Sequence, residues 1–267
     1  MDEIRLEQHF YGSAPVGLGS GRGFQTIAKS RGVGEASLFE PHCTYTRPEG
    51  RRSGAMPVNW GWFRLDESDD SSIVCIHSIG YAGSDEFGRP GNFLAHNLIA
   101  TDEQLRAIDY DIPALIRWIR GPSNSKIRFS LKEGGDDGFA HRNAEIFELL
   151  GREKSSLGSA PTLDVPVAAI GKLREQLDDK LATETIPRLQ SILGRDGVQA
   201  LLNAYLVPFQ ERKPIRVLGC SDGTDECEAG LLVAEFLFGL LPYHCRRHFT
   251  FSTYDEPRSS ASASRAG

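Results

Sequence analysis

Arg89, Asn92 and His96 stand together in the run SDEFGRPGNFLAHNLI, residues 84–99, and their side chains could do chemistry. A guanidinium offers a planar fork of donors that fits a carboxylate or a phosphate. An asparagine amide both donates and accepts, and an imidazole exchanges a proton near neutral pH. Gly88, Arg89, Pro90, Gly91 and Asn92 spell a sharp turn just before an apolar run. Asn92 and His96 are four apart, so a helix starting at Asn92 aligns them on one face. In that arrangement Arg89 holds a phosphate or carboxylate, Asn92 and Tyr11 orient the ligand and His96 acts as acid or base. A plain structural reading stands beside it, with Asn92 as a helix cap and His96 as a hydrogen-bonded core residue. Asp85 and Glu86 are candidate partners for Arg89.

Two further sets carry the same question. His9 and Tyr11 alternate on a predicted strand, which puts both on one face; they either line a pocket with His96 or sit half-buried in the sheet. Arg246 and Arg247, flanked by His244 and His248 in LLPYHCRRHFTFSTY, either hold an anion or an acidic protein surface or form a solvated basic turn. Other chemistries find no template. The glycine loop GLGSGRG (17–23) has no Gly-Lys-Ser or Gly-Lys-Thr after it, and the dinucleotide spacing fails at Phe24. Cys220, Cys227, Cys245, His244 and His248 lack the spacing of a zinc site, and Cys75 with His77 is at most a sheet pair. No Gly-x-Ser-x-Gly elbow and no His-Glu-x-x-His helix occurs. No catalytic residue, metal ligand or cofactor is assigned.

The elements that must position these residues divide the chain by texture. Residues 1–110 read as strands joined by turns: Leu6 to Tyr11, Phe24 to Ala28, then Pro57 to Leu65 and Ile73 to Ile79 as a β-hairpin. Asp111 to Ile119 has helical spacing through Ile112, Leu115, Ile116 and Ile119. Lys126 to Leu131 reads as a strand and Ala144 to Leu150 as a short helix. Residues 151–164 have linker composition. Beyond them Val167, Ile170, Leu173, Leu177 and Leu181 mark one amphipathic helix, and Val198, Leu201, Leu202, Tyr205 and Phe209 a second. Ile215 to Leu218, the helix Glu228 to Leu241 and the strand His248 to Tyr254 read as a βαβ unit. The helix is apolar on nearly all sides, hence buried on more than one, and Pro242 ends it. The expected fold class is α+β: a β-rich N-terminal half with turns, then an α/β half with two amphipathic helices and the βαβ unit. The expected domains are 1–150, a linker 151–164, an α/β region 165–257 and a disordered tail 258–267.

Composition bounds the setting. The 267 residues are 40% hydrophobic and 25% charged, as in ordinary globular proteins. A net charge of −6 argues against a global basic field for nucleic acid or anionic membrane. The segment MDEIRLEQ lacks the apolar core of a secretory signal, and the apolar run 229–241 is too short to span a bilayer, which takes about 20 residues. Five irregularly spaced cysteines do not suggest a disulfide framework. A cytoplasmic, reduced protein is the expectation, with neither nucleic acid nor membrane as partner.

Three segments also resemble a known family. YGSAPVGLGSGRGFQTIAKSRG (11–32), DEFGRPGNFLAHNLI (85–99) and LPYHCRRHFTFSTY (241–254) resemble landmarks of bacterial GTPase-associated proteins of the type-one kind. The first two resemble the second type of its N-terminal domain, and the third resembles its middle domain. The resemblance implies a place in bacterial conflict (defence) systems, encoded beside GTPases and effector proteins, as an adaptor or core scaffold with no established catalysis. Family members are usually longer, so the chain reads as a short stand-alone form or a truncated frame.

The function expected is therefore a non-catalytic adaptor or scaffold module that docks a GTPase or effector protein encoded nearby. The alternative, from another class, is a small-ligand or nucleotide-binding sensor or enzyme with a polar pocket around Arg89, Asn92 and His96. Candidate binding residues are Tyr11, Arg89, Asn92, His96, Arg246 and Arg247.

Overall fold

The chain's strands pair into one sheet whose two faces are covered differently. The structure is a computed structural model, described over residues 1–14, 18, 23–44, 58–65, 73–84, 88–121, 158–160, 162–206 and 226–253. The first half contributes β1 (Glu3–Ala14), β2 (Gly23–Lys29), β3 (Asn59–Arg64), β4 (Ile73–Ser84) and β5 (Pro90–Thr101). After the helices α1 (Asp102–Arg106) and α2 (Ile112–Arg120) come two short strands, β6 (Gly158–Ser159) and β7 (Leu163–Pro166). Then follow α3 (Val167–Lys180), a π-helical turn (Leu181–Thr185), α4 (Ile186–Leu206), α5 (Glu226–Leu240), the short α6 (Tyr243–Arg246) and β8 (Phe251–Ser252). The order across the sheet is β6-β2-β1-β5-β4-β3-β8, with β7 antiparallel to the first residues of β1.

Every pairing is antiparallel except β2 with β6. The β3–β4 hairpin and the two strands before it lie where the sequence puts them. Strands β4 and β5, and β1 from Gln8 to Ser13, are largely buried on both faces, which is why Ile73–Ile79 reads as a nearly continuous apolar run. On one face Ile4, Leu6, Trp62, Val74, Ile76, Leu98 and Ala100 pack against α2, Ile170 of α3, and Leu231 and Phe238 of α5. On the other face lies the segment 33–43, which places Val33 and Phe39 against Cys75 and Ile99, and Cys43 against Ile79 and Ala95. A further cluster, with Leu189, Val198, Leu201, Tyr205, Phe236 and Leu237, joins α4 to α5.

Local chemistry fixes the boundaries. Thr101 and Gln104 form a capping box at the start of α1, and the Asp111 side chain accepts from Ala114 N at the start of α2. Between them Asp109 and Tyr110 both take left-handed backbone conformations (φ 53° and 54°), an uncommon pair of non-glycine residues there. Tyr110 Oη donates to buried Asp102 at 2.6 Å, which ties down that turn. Both amphipathic helices form, the second bent at Gly194; Phe209 lies outside the described residues. α5 is buried from Ala229 to Phe238, Gly230 excepted, in keeping with its all-round apolar sequence.

Three readings change. The run from Asn92 is not a helix but the strand β5, because it lies between β1 and β4 and its backbone bonds to both. Of the strand expected over His248–Tyr254, Phe251–Ser252 pairs among the described residues, antiparallel to β3; before it the turn that follows α6 bonds His248 N to Cys245 O and Phe249 N to Arg246 O. Gly61 makes that pairing close: a Cβ there would sit 2.6 Å from Phe251 O. Residues 158–159, inside the stretch of linker composition, and 163–166, which run past its end, are sheet strands. The expected elements at 126–131, 144–150 and 215–218 and the tail 258–267 lie outside the described residues.

Candidate functional site

At the tip of the sheet the chain enters β5 through an exposed turn. Gly88 (φ 74°) and Gly91 (φ 99°) occupy the left-handed region that side chains disfavour, so both ends of the turn require glycine. Gly88, Arg89, Pro90 and Gly91 are exposed, and Asn92 then turns inward and is buried, with its Oδ1 3.4 Å from Ser13 N on β1. His96 is deeper on the same face. Its ring stacks on Phe10 (4.5 Å, 5°) and its Nε2 lies 2.9 Å from Gln8 Oε1. Burial, helped by nearby His9, lowers its pKa to about 3, so the ring is neutral at neutral pH.

Tyr11 lies on the opposite face. It packs beside Cys43, Ile79 and Ala95, and its ring is 6.2 Å from Phe24 and 6.3 Å from Phe93. Phe24 and Phe93 stack at 4.6 Å. Phe24 is nonetheless 47% exposed, and Leu18, whose N donates to Thr26 O, is 45% exposed. The tip therefore carries an aromatic patch. It borders the glycine turn, because Phe93 follows Asn92 on β5 and Ser13, the neighbour of Asn92, pairs with Phe24. Tyr11 is thus brought to Phe24 and Phe93, whereas His96 is brought to Gln8 and Phe10, with the sheet between the two.

A second polar group runs beneath segment 33–43. His9, Asn97, His77 and Gly61 are in register across β1, β5, β4 and β3. His9 Nδ1 lies 2.9 Å from Asn97 Nδ2, and His9 Nε2 lies 2.8 Å from Thr26 Oγ1, which donates to Glu40 Oε1 at 2.8 Å. Asn97 Nδ2 also donates to Cys43 Sγ (3.1 Å), and Cys75 Sγ is 3.6 Å from Asn97 Oδ1. Burial lowers the His9 and His77 pKa values to about 4 and raises the Cys43 thiol to about 11, with Cys75 also raised. Neutral imidazoles and protonated thiols make this a neutral hydrogen-bonded layer, without an activated cysteine nucleophile. Its members sit at inward positions of their strands, but only strand register shows that they meet.

Residues 5–120 match one family model. It is GTPase-associated protein 1, N-terminal domain type 2. No curated protein and no solved structure matches the chain. The GTPase-associated match takes in the turn, the aromatic patch and the polar layer, and with them Tyr11, Arg89, Asn92 and His96. It bears out the resemblance seen at residues 11–32 and 85–99.

Arg246 and Arg247 lie beyond the GTPase-associated match, among the C-terminal helices. Arg246 is 7% exposed; its Nε donates to Leu241 O at 3.2 Å and its Nη1 is 3.5 Å from Asp111 Oδ2. Arg247 is half-buried and its carbonyl accepts from Arg64 Nε at 3.1 Å. Both are engaged in joining elements. Among the described residues no group of three or more His, Cys, Asp or Glu side chains could hold a metal ion, and no helix is long and apolar enough to cross a membrane.

Proposed function

We propose that the chain is a non-catalytic adaptor or scaffold module of a bacterial conflict system, docking a GTPase or an effector protein through the tip of its sheet. The observation that carries this reading is the aromatic patch of exposed Phe24 on the half-buried Phe93 and Tyr11, beside the exposed turn Gly88–Gly91. Aromatic residues and arginine are enriched at the energetic centres of protein interfaces, and an exposed ring stacked on two others keeps its binding shape at little entropic cost. The family description supports an association with GTPases. The polar-pocket alternative gains less support, because His96 and Asn92 are buried and Arg89 is exposed on the turn. Resemblance of 241–254 to the family's middle domain belongs to the same proposal.

The test is recovery of partners on the tagged full chain from cells that carry the neighbouring genes. Phe24→Ala is the main variant, since its exposure lets the fold stand, and Arg89→Ala is the second. The wild type is expected to retain a GTPase or effector protein, and each folded variant to retain it about 10-fold less or worse. Equal recovery by both variants would place the docking surface elsewhere. Recovery of neither class of protein, with a nucleotide or metabolite bound to the purified chain, would replace the adaptor reading.

A further inference from the structure

Between α2, α3, the π-turn and α5 lies a small cleft of about 10 Å³, open at Asp178, whose lining includes Asp111, Arg174, Asp178, Thr185, Glu235 and Arg246. Asp111, Thr185, Glu235 and Arg246 are all buried, in a place where helices ordinarily meet through apolar side chains. Much of their bonding is internal. Asp111 Oδ1 accepts from Ala114 N at 3.0 Å, Glu235 Oε1 accepts from Arg117, and Arg246 Nε donates to Leu241 O. Arg246 Nη1 differs. It is buried with no hydrogen-bond partner among the described residues, and it lies 3.5 Å from Asp111 Oδ2. A direct charge-assisted bond is shorter, about 2.7–2.9 Å. A buried guanidinium donor left unbonded is costly, so its geometry calls for a bridging group.

Size and charge say which group. The space is about that of one water-sized sphere. Arg174 already pairs with Asp109, and Arg117 with Glu235 and Glu228, so the pair left to complete in the lining is Arg246 Nη1 with Asp111 Oδ2. A guanidinium donor and a carboxylate acceptor 3.5 Å apart are both served by one small group that accepts from the first and donates to the second. We propose that the cleft is a binding site for one water molecule, which accepts from Arg246 Nη1 and donates to Asp111 Oδ2. This water completes the ion pair between the cap of α2, inside the matched segment, and the chain that follows α5. It gives Arg246 a definite task, fastening the C-terminal helices to the sheet domain.

A crystal structure of the full chain, at a resolution that orders internal water, tests the assignment. A single peak within hydrogen-bond distance of both Arg246 Nη1 and Asp111 Oδ2 is expected. It should be lost in Arg246→Met, which fills similar space without donors. A wild-type map in which Nη1 bonds Asp111 directly, with no intervening peak, overturns the proposal, as does a peak that persists unchanged in Arg246→Met. Should that variant not fold, the wild-type map decides alone.

Discussion

Three imidazoles, those of His9, His77 and His96, are buried in the sheet, and burial keeps each neutral in the folded chain. Their folded pKa values are about 4, 4 and 3, whereas unfolded imidazole titrates near 6.5. Between these values the unfolded chain binds more protons, so stability is full above about pH 6.5 and is lost as pH falls toward 4 and 3. Each pKa unit between the two states is worth about 1.4 kcal/mol, so three rings together weigh heavily against a total of about 5–15 kcal/mol. Urea midpoints at pH 7.5, 6 and 5 are expected to fall steadily. His77 offers the sharpest variant. It is 8% exposed and neither ring nitrogen has a hydrogen-bond partner among the described residues. His77→Leu is expected to leave stability at pH 7.5 unchanged or raised and to move acid unfolding to lower pH, because an unsatisfied buried polar ring is removed. His96→Leu, by contrast, removes the buried bond between the ring and Gln8 Oε1 and is expected to cost about 1–3 kcal/mol, read from the same midpoints.

At the scale of elements, the passage from β5 into the helices depends on a few polar contacts. Thr101 closes a capping box with Gln104, and exposed caps of this kind contribute about 1 kcal/mol. Thr101→Ala is expected to lower stability by that amount, read by denaturant unfolding, and to leave the turn Gly88–Gly91 and its aromatic patch intact. One residue further, burial works to raise the Asp102 pKa, but hydrogen bonds from Tyr110 and Arg64 outweigh it and hold the carboxyl below its ordinary value. The sheet's outer face is covered by a segment with little regular structure, the turns Ala36–Leu38 and Glu40–His42. Glu40 and Cys43 anchor that segment through Thr26 and Asn97. Asn97→Leu removes a partner shared by His9, Cys43 and Cys75. Faster amide exchange over residues 33–43 is the expected result, ahead of any change in α2 or α5.

At the scale of the whole molecule, the matched segment does not cover its own core. Val165, Ile170, Leu231 and Phe238, all beyond residue 120, lie in the same cluster as Ile4, Leu6, Trp62 and Leu98. β7 and β8 extend the sheet from the same later region. Ion pairs cross as well, with Arg117 and Arg120 of α2 meeting Glu228 of α5. A fragment ending at Gly121 therefore exposes large apolar side chains, each worth about 1.5–3 kcal/mol when buried. It is expected to aggregate or to show broad, unprotected amide spectra, whereas the full chain stays folded; a well-dispersed spectrum of the fragment would show that the sheet stands alone.

What the sequence determined by itself was whatever depends on neighbours along the chain. The short strand runs of β1 to β4 between turns, the three-and-four spacing of α2, α3 and α4, the glycine turn at 88–91 and the all-round apolar α5 follow from local pattern, and so does the resemblance of the segments that the family model matches. The run from Asn92 shows where local pattern stops. Spacing of four puts Asn92 and His96 on one face of a helix and of a strand alike, and only bonding to β1 and β4 chose the strand. Strand register then set the candidate site: it divided Tyr11 from His96 by one face of the sheet, assembled Phe24 with Phe93, and brought His9, Asn97 and His77 into one row. Arg246, adjacent to Arg247 in a basic run, turned inward because Asp111, far away in sequence, offered it a charge. Side-chain periodicity is written in the sequence, but contacts between distant strands and helices arise from burial of the whole chain, and the site is made of those contacts.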